Sequence, residues 1–416
     1  MTTCTPSTTR AIAARWPDVA RIPSGSRAVM GRPVAARIFR HAVSRLAIRV
    51  LLPSGEQIGG GEAGAPTLTI HHHDRMMRRI AASGLIGFGE SYLAGEWDAD
   101  DLAAVIAVFG ASVDSLVPRP LQTLRRAYLA AQPGSDAPTL KHSRRNVARH
   151  YDLSNNLFAT FLDDTLTYSS GLFTGPMDQD LAAAQIRKID RILDEARVER
   201  GTRLLEVGTG WGGLAIRAAR RGATVHSVTL SVEQLELARD RVHRAGLDDR
   251  VTLSLQDYRE VSGTYDAVVS VEMVEAVGLD FLPTYFDSLT HRLAPGGRLA
   301  LQAITMPHRR ALETRHTYTW IQKYIFPGGA LPSVRILVDQ AQRCGLRLAD
   351  DLAMGDSYAT TLRLWAERFA AADQALEMLG FDETFRRMWS FYLRYSEGGF
   401  RSGYLDVHQL TFEGAA

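Results

Sequence analysis

The sequence predicts a doubly wound α/β domain preceded by a smaller, basic N-terminal domain, and three observations support this. Beyond Gly201, short apolar runs alternate with stretches of helical periodicity, as in repeated βα units on a parallel sheet. A glycine-rich turn, Gly208 to Gly213, stands between the first of these runs and the helical stretch that follows. Pro, Gly, Ser and Asp cluster in residues 132–138, which reads as a linker. The expected organisation is a small N-terminal domain over 1–131, a linker over 132–144 and the α/β domain over 145–416.

In chain order, Pro33 to Val43 is apolar with Arg37, Arg40 and His41 interspersed, the pattern of a short basic amphipathic helix. The longest apolar stretch, Leu102 to Val117, is interrupted by Gly110, Ser112, Asp114 and Ser115. It falls short of the roughly 20 residues that span a bilayer. Leu121 to Ala131 is helical in pattern, and a basic run, Lys141 to Arg149, follows the linker signal. The expected strands are Arg203–Val207, Ala223–Thr229, Val251–Leu255, Tyr265–Val271 and Arg298–Ile304. Between them, Leu214–Arg220 and Val232–Ala245 are helical, with Gly222 and Gly246 placed as C-terminal stops.

With 45% hydrophobic and 23% charged residues, the 416-residue chain has the balance of a globular protein, not of a disordered, fibrous or membrane-spanning one. Cys4 and Cys344 are too few for a disulfide framework or a cysteine-built metal site, which points to a reducing, cytoplasmic compartment. His71, His72 and His73 cannot all face one ion from a strand, so no metal is expected. Residues 1–150 carry 19 Lys/Arg against 11 Asp/Glu, leaving 29 against 35 in the remainder, so the two parts are +8 and −6. Residues 1–50 hold nine arginines and one acid, Asp18, as expected of a segment that approaches an anionic surface. From charge alone, nucleic acid and phospholipid are both candidates, as is a merely solvated face.

In Leu204-Leu-Glu-Val-Gly208-Thr-Gly210-Trp-Gly212-Gly213, glycines let a ligand approach backbone N–H groups at a helix start. Glu206 stands two residues ahead of Gly208, where a carboxylate suits a ligand's ammonium group better than a pyrophosphate. The next strand ends without an acid, leaving ribose recognition to Thr229 and Gln234. A third ends in Gln256-Asp257, where a carboxylate can accept from an exocyclic amine such as that of adenine. Together these residues favour S-adenosylmethionine over NAD.

Six segments resemble the cyclopropane fatty acid synthases and related mycolic acid methyltransferases. They are residues 150–158 (HYDLSNNLF), 166–170 (LTYSS), 206–213, 228–234 (VTLSVEQ), 270–278 (SVEMVEAVG) and 320–329 (WIQKYIFPGG). The likeness covers about 145–412. Residues 84–97 more faintly resemble the small N-terminal domain of the longer synthases, and the match is nearest the branch that makes tuberculostearic (10-methylstearic) acid. The resemblance implies a Rossmann-like class I S-adenosylmethionine-dependent methyltransferase acting on the cis double bond of unsaturated acyl chains in phospholipid. It implies that Tyr168, Ser169, Gly208, Gly210, Gly212, Thr229, Gln234, Gln256 and Asp257 line the cofactor. In the cyclopropane synthases bicarbonate is the base, held by residues matching Ser170, Glu275, Gln302, Ile304 and Tyr358. Here Ser170, Ala276, Gln302 and Ser396 replace the family's usual Cys, His, His and Cys.

An alkene is a weak nucleophile, so the site must align it with the activated methyl and exclude water from the cation that forms. Of the aromatic residues near the motifs, Tyr168 and Tyr358 are the expected cation-facing pair; Phe173, Trp320, Tyr324, Phe326 and Trp365 stay unassigned. Glu272 is an extra carboxylate where cyclopropane synthases usually have Gly, and at i and i+3 it shares a side with Glu275. Two nearby carboxylates raise one pKa into a basic range. A surface-exposed Glu272 is the competing view, and whether Glu or bicarbonate is the base stays open. The departures at Ser170, Ala276 and Gln302 favour a 10-methylene product over a cyclopropane, with bicarbonate-dependent cyclopropanation as the alternative. Saturating a methylene needs a hydride donor, and the absence of a second nucleotide loop implies a separate reductase. A non-catalytic lipid-binding module is the remaining alternative. The implied partners are unsaturated phospholipid and an anionic membrane surface, at the inner face of the membrane, with no nucleic acid. Oligomeric state stays open, a homo-oligomer included.

Overall fold

A computed structural model describes residues 15–113, 154–175 and 177–414. The linker expected at 132–144, the helical pattern at 121–131, the basic run at 141–149 and the first part of the 150–158 motif lie outside these residues. The chain forms two compact units, one taking residues 1–131, 317–325 and 373–404, the other 132–316, 326–372 and 405–416.

The first unit carries a four-stranded sheet in the order β2-β1-β3-β4, with β1 Arg49–Leu51, β2 Gln57–Ile58, β3 Thr67–Ile70 and β4 Trp97–Ala99. Around it lie the helices Ser26–Val43, His73–Ser83, Leu85–Leu93 and Leu102–Ala111. The sequence boundaries put 317–325 and 373–404 in the C-terminal domain, whereas the fold groups them here. Packing explains the difference. Gly398, on the helix Glu383–Arg401, lies so close to the helix Leu102–Ala111 that an added Cβ would stand 2.7 Å from the Ala103 carbonyl oxygen. Trp320 crosses Phe391 edge-on at 4.7 Å and seats its indole against Gly89. Arg79 and Glu96, both buried, pair at 3.0 Å, and the Arg79 guanidinium also donates to the carbonyls of Asp18 and Val19. Glu90 accepts from Lys323 at 2.5 Å and from the Tyr324 hydroxyl at 2.9 Å.

In the second unit, a seven-stranded sheet runs β10-β11-β9-β8-β5-β6-β7. Its strands are β5 Arg203–Val207, β6 Thr224–Thr229, β7 Val251–Leu255, β8 Tyr265–Val271, β9 Leu293–Thr305, β10 Leu346–Ala353 and β11 Asp406–Gly414. Only β11 runs against its neighbours. The side-chain alternation of a strand divides the core in two. Leu204, Val269 and Ala300 face the helices Leu181–Glu195, Gly213–Arg220 and Val232–Arg244, while Leu205, Val268 and Leu299 face Leu282–Thr290 and Val334–Arg343. Helices therefore cover both faces, and the buried apolar runs of β5 and β8 are the sequence signature of that arrangement. Ser231 caps its helix by accepting from the Gln234 N–H at 3.2 Å. All five strands expected in the α/β domain are present; the strand expected around His71–His73 ends at Ile70, as β3, with His73 opening the next helix, and β1, β2, β4, β10 and β11 were not anticipated.

Candidate active site

The site gathers at the C-terminal ends of the parallel strands, where ligands of open α/β sheets bind. The turn after β5 takes φ values of 101°, 51° and 82° at Gly208, Gly210 and Gly212, which glycine alone adopts freely. A Cβ at Gly208 would lie 2.5 Å from Met273 Cγ, whereas one at Gly210 would meet nothing within 4 Å, leaving that side of the loop open. Trp211 braces the turn: its indole N–H donates to Asn155 at 2.7 Å and its carbonyl accepts from Arg241 at 2.7 Å.

Glu206 is buried at the end of β5 and accepts from the Ser227 hydroxyl at 2.5 Å. Burial pushes its pKa up to about 8, against the pull of Ser227 and Lys188. Thr229 donates to the Gln234 side chain at 3.2 Å, so the two expected ribose contacts stand together at the end of β6. The Gln256 amide donates to the Glu260 carbonyl, and both Asp257 carboxylate oxygens accept from Arg259. Asp257 is thus braced by a cation next to it in sequence. Tyr168 stacks on Trp365 with centroids 5.3 Å apart, and Trp365 meets Tyr358 edge-on at 6.2 Å. Trp320 and Tyr324 belong to the first unit.

Ser170, Glu272, Glu275, Gln302, Ile304 and Tyr358 come together from four elements. Glu272, immediately after β8, adopts φ +49°, a left-handed conformation that is strained for a residue with a side chain. Its Oε1 accepts from the Ser170 N–H at 3.0 Å and from the Gln302 amide at 2.8 Å, and its Oε2 from the Tyr358 hydroxyl at 2.7 Å. The surface-exposed alternative for Glu272 is therefore set aside. Glu275 Oε1 accepts from the Ile304 N–H at 2.5 Å, while the buried Oε2 has no partner among the described residues. Burial, then the neighbouring Glu272 charge, pushes Glu275 up to about 8. Burial also raises Glu272, opposed by the Ser170 N–H, Tyr358, Lys188 and Gln302. The two environments pull the acids apart, Glu272 rich in donors and Glu275 poor in them.

Bicarbonate does not fit these residues. Ser170 N–H, Gln302 and Tyr358 all donate to Glu272, Ile304 N–H donates to Glu275, and the Ser170 hydroxyl donates to the Gly171 carbonyl at 2.9 Å. Each donor that the resemblance assigns to the anion already serves the protein's own groups. Ser170 thus reaches the acidic pair through its backbone N–H, while its hydroxyl turns to the Gly171 carbonyl.

The family described as Mycolic acid cyclopropane synthetase matches residues 139–410. The chain belongs to this family. It is 54% identical over 404 residues to "Tuberculostearic acid methyltransferase UfaA1" of Mycobacterium tuberculosis, covering 95% of each chain. To the "Cyclopropane-fatty-acyl-phospholipid synthase" of Escherichia coli K12 it is 34% identical over 374 residues, 88% of this chain and 92% of that one. Among solved structures it resembles mycolic acid cyclopropane synthase CmaA1 complexed with SAH and CTAB, with TM-score 0.60 and 30% identity over 68% of this chain and 99% of that chain.

Against this cyclopropane synthetase background, the residue that sequence reasoning missed is Lys188. Its buried ammonium donates to Ser169 Oγ at 2.6 Å, and Gln185, one turn earlier, donates to the Ser169 carbonyl at 2.7 Å. Burial lowers Lys188 to about 8, opposed by Glu272, Asp163 and Glu206. The signal was present: Gln185 and Lys188, three apart, interrupt the apolar stripe of Leu181, Ala184, Ile189 and Ile192.

Proposed function

We propose that this chain methylates the cis double bond of unsaturated acyl chains in phospholipid and releases a 10-methylene product, the precursor of a 10-methyl fatty acid. The broader activity is plain: the chain is an S-adenosylmethionine-dependent methyltransferase of unsaturated fatty acyl chains. S-adenosylmethionine supplies the activated methyl group. Tyr168, Ser169, Glu206, the Gly208–Gly212 turn, Thr229, Gln234, Gln256 and Asp257 are the residues we assign to hold it, with Glu206 suited to its ammonium group.

The observation that carries the product reading is the acidic pair at the end of β8, held by Ser170, Gln302, Tyr358 and Ile304. An alkene carbon that gains a methyl leaves its neighbour electron-deficient. A hydride shift followed by proton loss from the new methyl yields the exocyclic methylene, and a fixed carboxylate can accept that proton. Tyr168 and Tyr358, packed against the buried Trp365, offer aromatic faces that tolerate positive charge without reacting. Saturation to a methyl branch falls to a separate reductase.

We also place the enzyme at the inner face of an anionic membrane. On the helix Ser26–Val43, Val29, Met30 and Val34 are exposed beside Arg27, Arg32 and Arg37. No helix among the described residues is long and apolar enough to cross a membrane. The test is incubation of the purified protein with S-adenosylmethionine and oleoyl phospholipid vesicles, followed by proton NMR of the released acids. Vinylidene hydrogens are expected; upfield ring hydrogens alone would replace the methylene by a cyclopropane, and unaltered oleate would overturn the activity.

A further inference from the structure

We infer that the Glu272 carboxylate is itself the proton acceptor of this enzyme, built into the place where relatives in the family recruit bicarbonate, so that turnover here is independent of bicarbonate. The inference deepens the reading above and rests on it.

Four observations support it. Three donors from separate elements, the Ser170 N–H, the Gln302 amide and the Tyr358 hydroxyl, converge on the one carboxylate at 2.7 to 3.0 Å. A carboxylate and bicarbonate present the same planar pair of oxygens, so one donor set serves either. The position is reached only because residue 272 takes φ +49°, a conformation that a chain keeps for a non-glycine residue when its side chain is needed there. The Glu272 N–H also donates to the Gln302 carbonyl at 2.8 Å, fixing the backbone to the strand that supplies the amide. Finally, the carboxylate sits on the N–H of Ser170, next to Ser169, whose hydroxyl and carbonyl are held by Lys188 and Gln185. The base is thereby rigidly tied to the segment we assign to the cofactor.

The step balances. Once the hydride shift has moved the positive charge onto the methyl-bearing carbon, a C–H bond of the new methyl breaks, its electron pair becomes the π bond to that carbon, and the proton moves to a Glu272 oxygen. Oε2, which accepts from Tyr358 where Oε1 accepts from both Ser170 and Gln302, has the lone pair to take it. Glu275 stands beside it as the second, less solvated acid.

The experiment measures S-adenosylhomocysteine and lipid product in buffers purged of carbon dioxide, with and without added bicarbonate, for the natural chain and for Glu272→Gly and Glu272→Gln. The natural chain should turn over at the same rate in both buffers. Glu272→Gly should fall by about 100-fold or more in the purged buffer. Bicarbonate should restore a large part of that loss, because glycine adopts φ +49° freely and frees three donors for the anion. Glu272→Gln should fall as far and gain nothing, since the amide fills the pocket without accepting a proton. Calorimetric binding of S-adenosylhomocysteine verifies that each variant folds. Bicarbonate-dependent turnover of the natural chain, or full activity of Glu272→Gly without bicarbonate, would overturn the assignment while leaving the methyltransferase reading intact. If no form methylates lipid under any condition, both fail.

Discussion

Replacing Glu206 by Gln tests how the cofactor end of the site is charged. In the fold this carboxyl is buried and keeps its proton up to about 8, whereas in the unfolded chain it releases it near 4.5. A raised acid contributes stability that is full below pH 4.5 and is lost as pH rises towards 8. At pH 7 the loss is about 3 kcal/mol, from 1.36 kcal/mol per pH unit over the interval above 4.5. Glutamine has no proton to lose and can still accept from the Ser227 hydroxyl. Glu206→Gln should therefore match the natural chain near pH 4.5 and exceed it in stability by up to about that amount at pH 7, while binding S-adenosylhomocysteine more weakly. Thermal or urea unfolding of the cofactor-free proteins from pH 4.5 to 8 reads the difference. A gap that stays flat across this range would refute the buried, protonated Glu206.

Other perturbations separate the remaining parts. Gly208→Ala should reduce S-adenosylhomocysteine affinity by about tenfold or more, because its Cβ would press on Met273 Cγ at a φ of 101° that alanine disfavours; calorimetry measures it. Arg79→Met should destabilise the first unit by about 3 to 5 kcal/mol by leaving Glu96 buried and unpaired, seen as faster proteolysis of residues 15–113. Vesicles with anionic lipid should float the protein with them and vesicles of neutral lipid should not, and salt should weaken the association. Equal flotation with both would remove the arginine-rich helix face from membrane docking.

Much of the fold was legible in the sequence because parallel βα units leave strong local traces. Strands β5, β7 and β8 fall where their apolar runs place them, and Gly208 to Gly213 marks the ligand turn by residue type alone. Strands β10 and β11 left no such trace. Leu346–Ala353 alternates between intermediate and exposed positions after its first residue, and Asp406–Gly414 mixes His, Gln and Thr among its apolar residues, so neither reads as a buried run. The first unit was harder still. Its core borrows Trp320 and Phe391 from segments more than 200 residues beyond Trp97, a pairing no local pattern announces.

For the site, residue type and position beside the glycine turn singled out Glu206, whereas Glu275 came from the resemblance to the cyclopropane synthases and Glu272 from standing three residues before it, where they usually have Gly. Only the tertiary structure decided which acid receives the donors. Ser170, Gln302 and Tyr358 lie 102, 30 and 86 residues from Glu272 and meet it through three-dimensional packing. Lys188 is likewise ordinary in a helical pattern and becomes chemically distinct only when burial sets its ammonium against Ser169 among three acids. Hydrogen-bond partners and desolvation are properties of the folded surroundings, and they determine which group holds a proton and which accepts one.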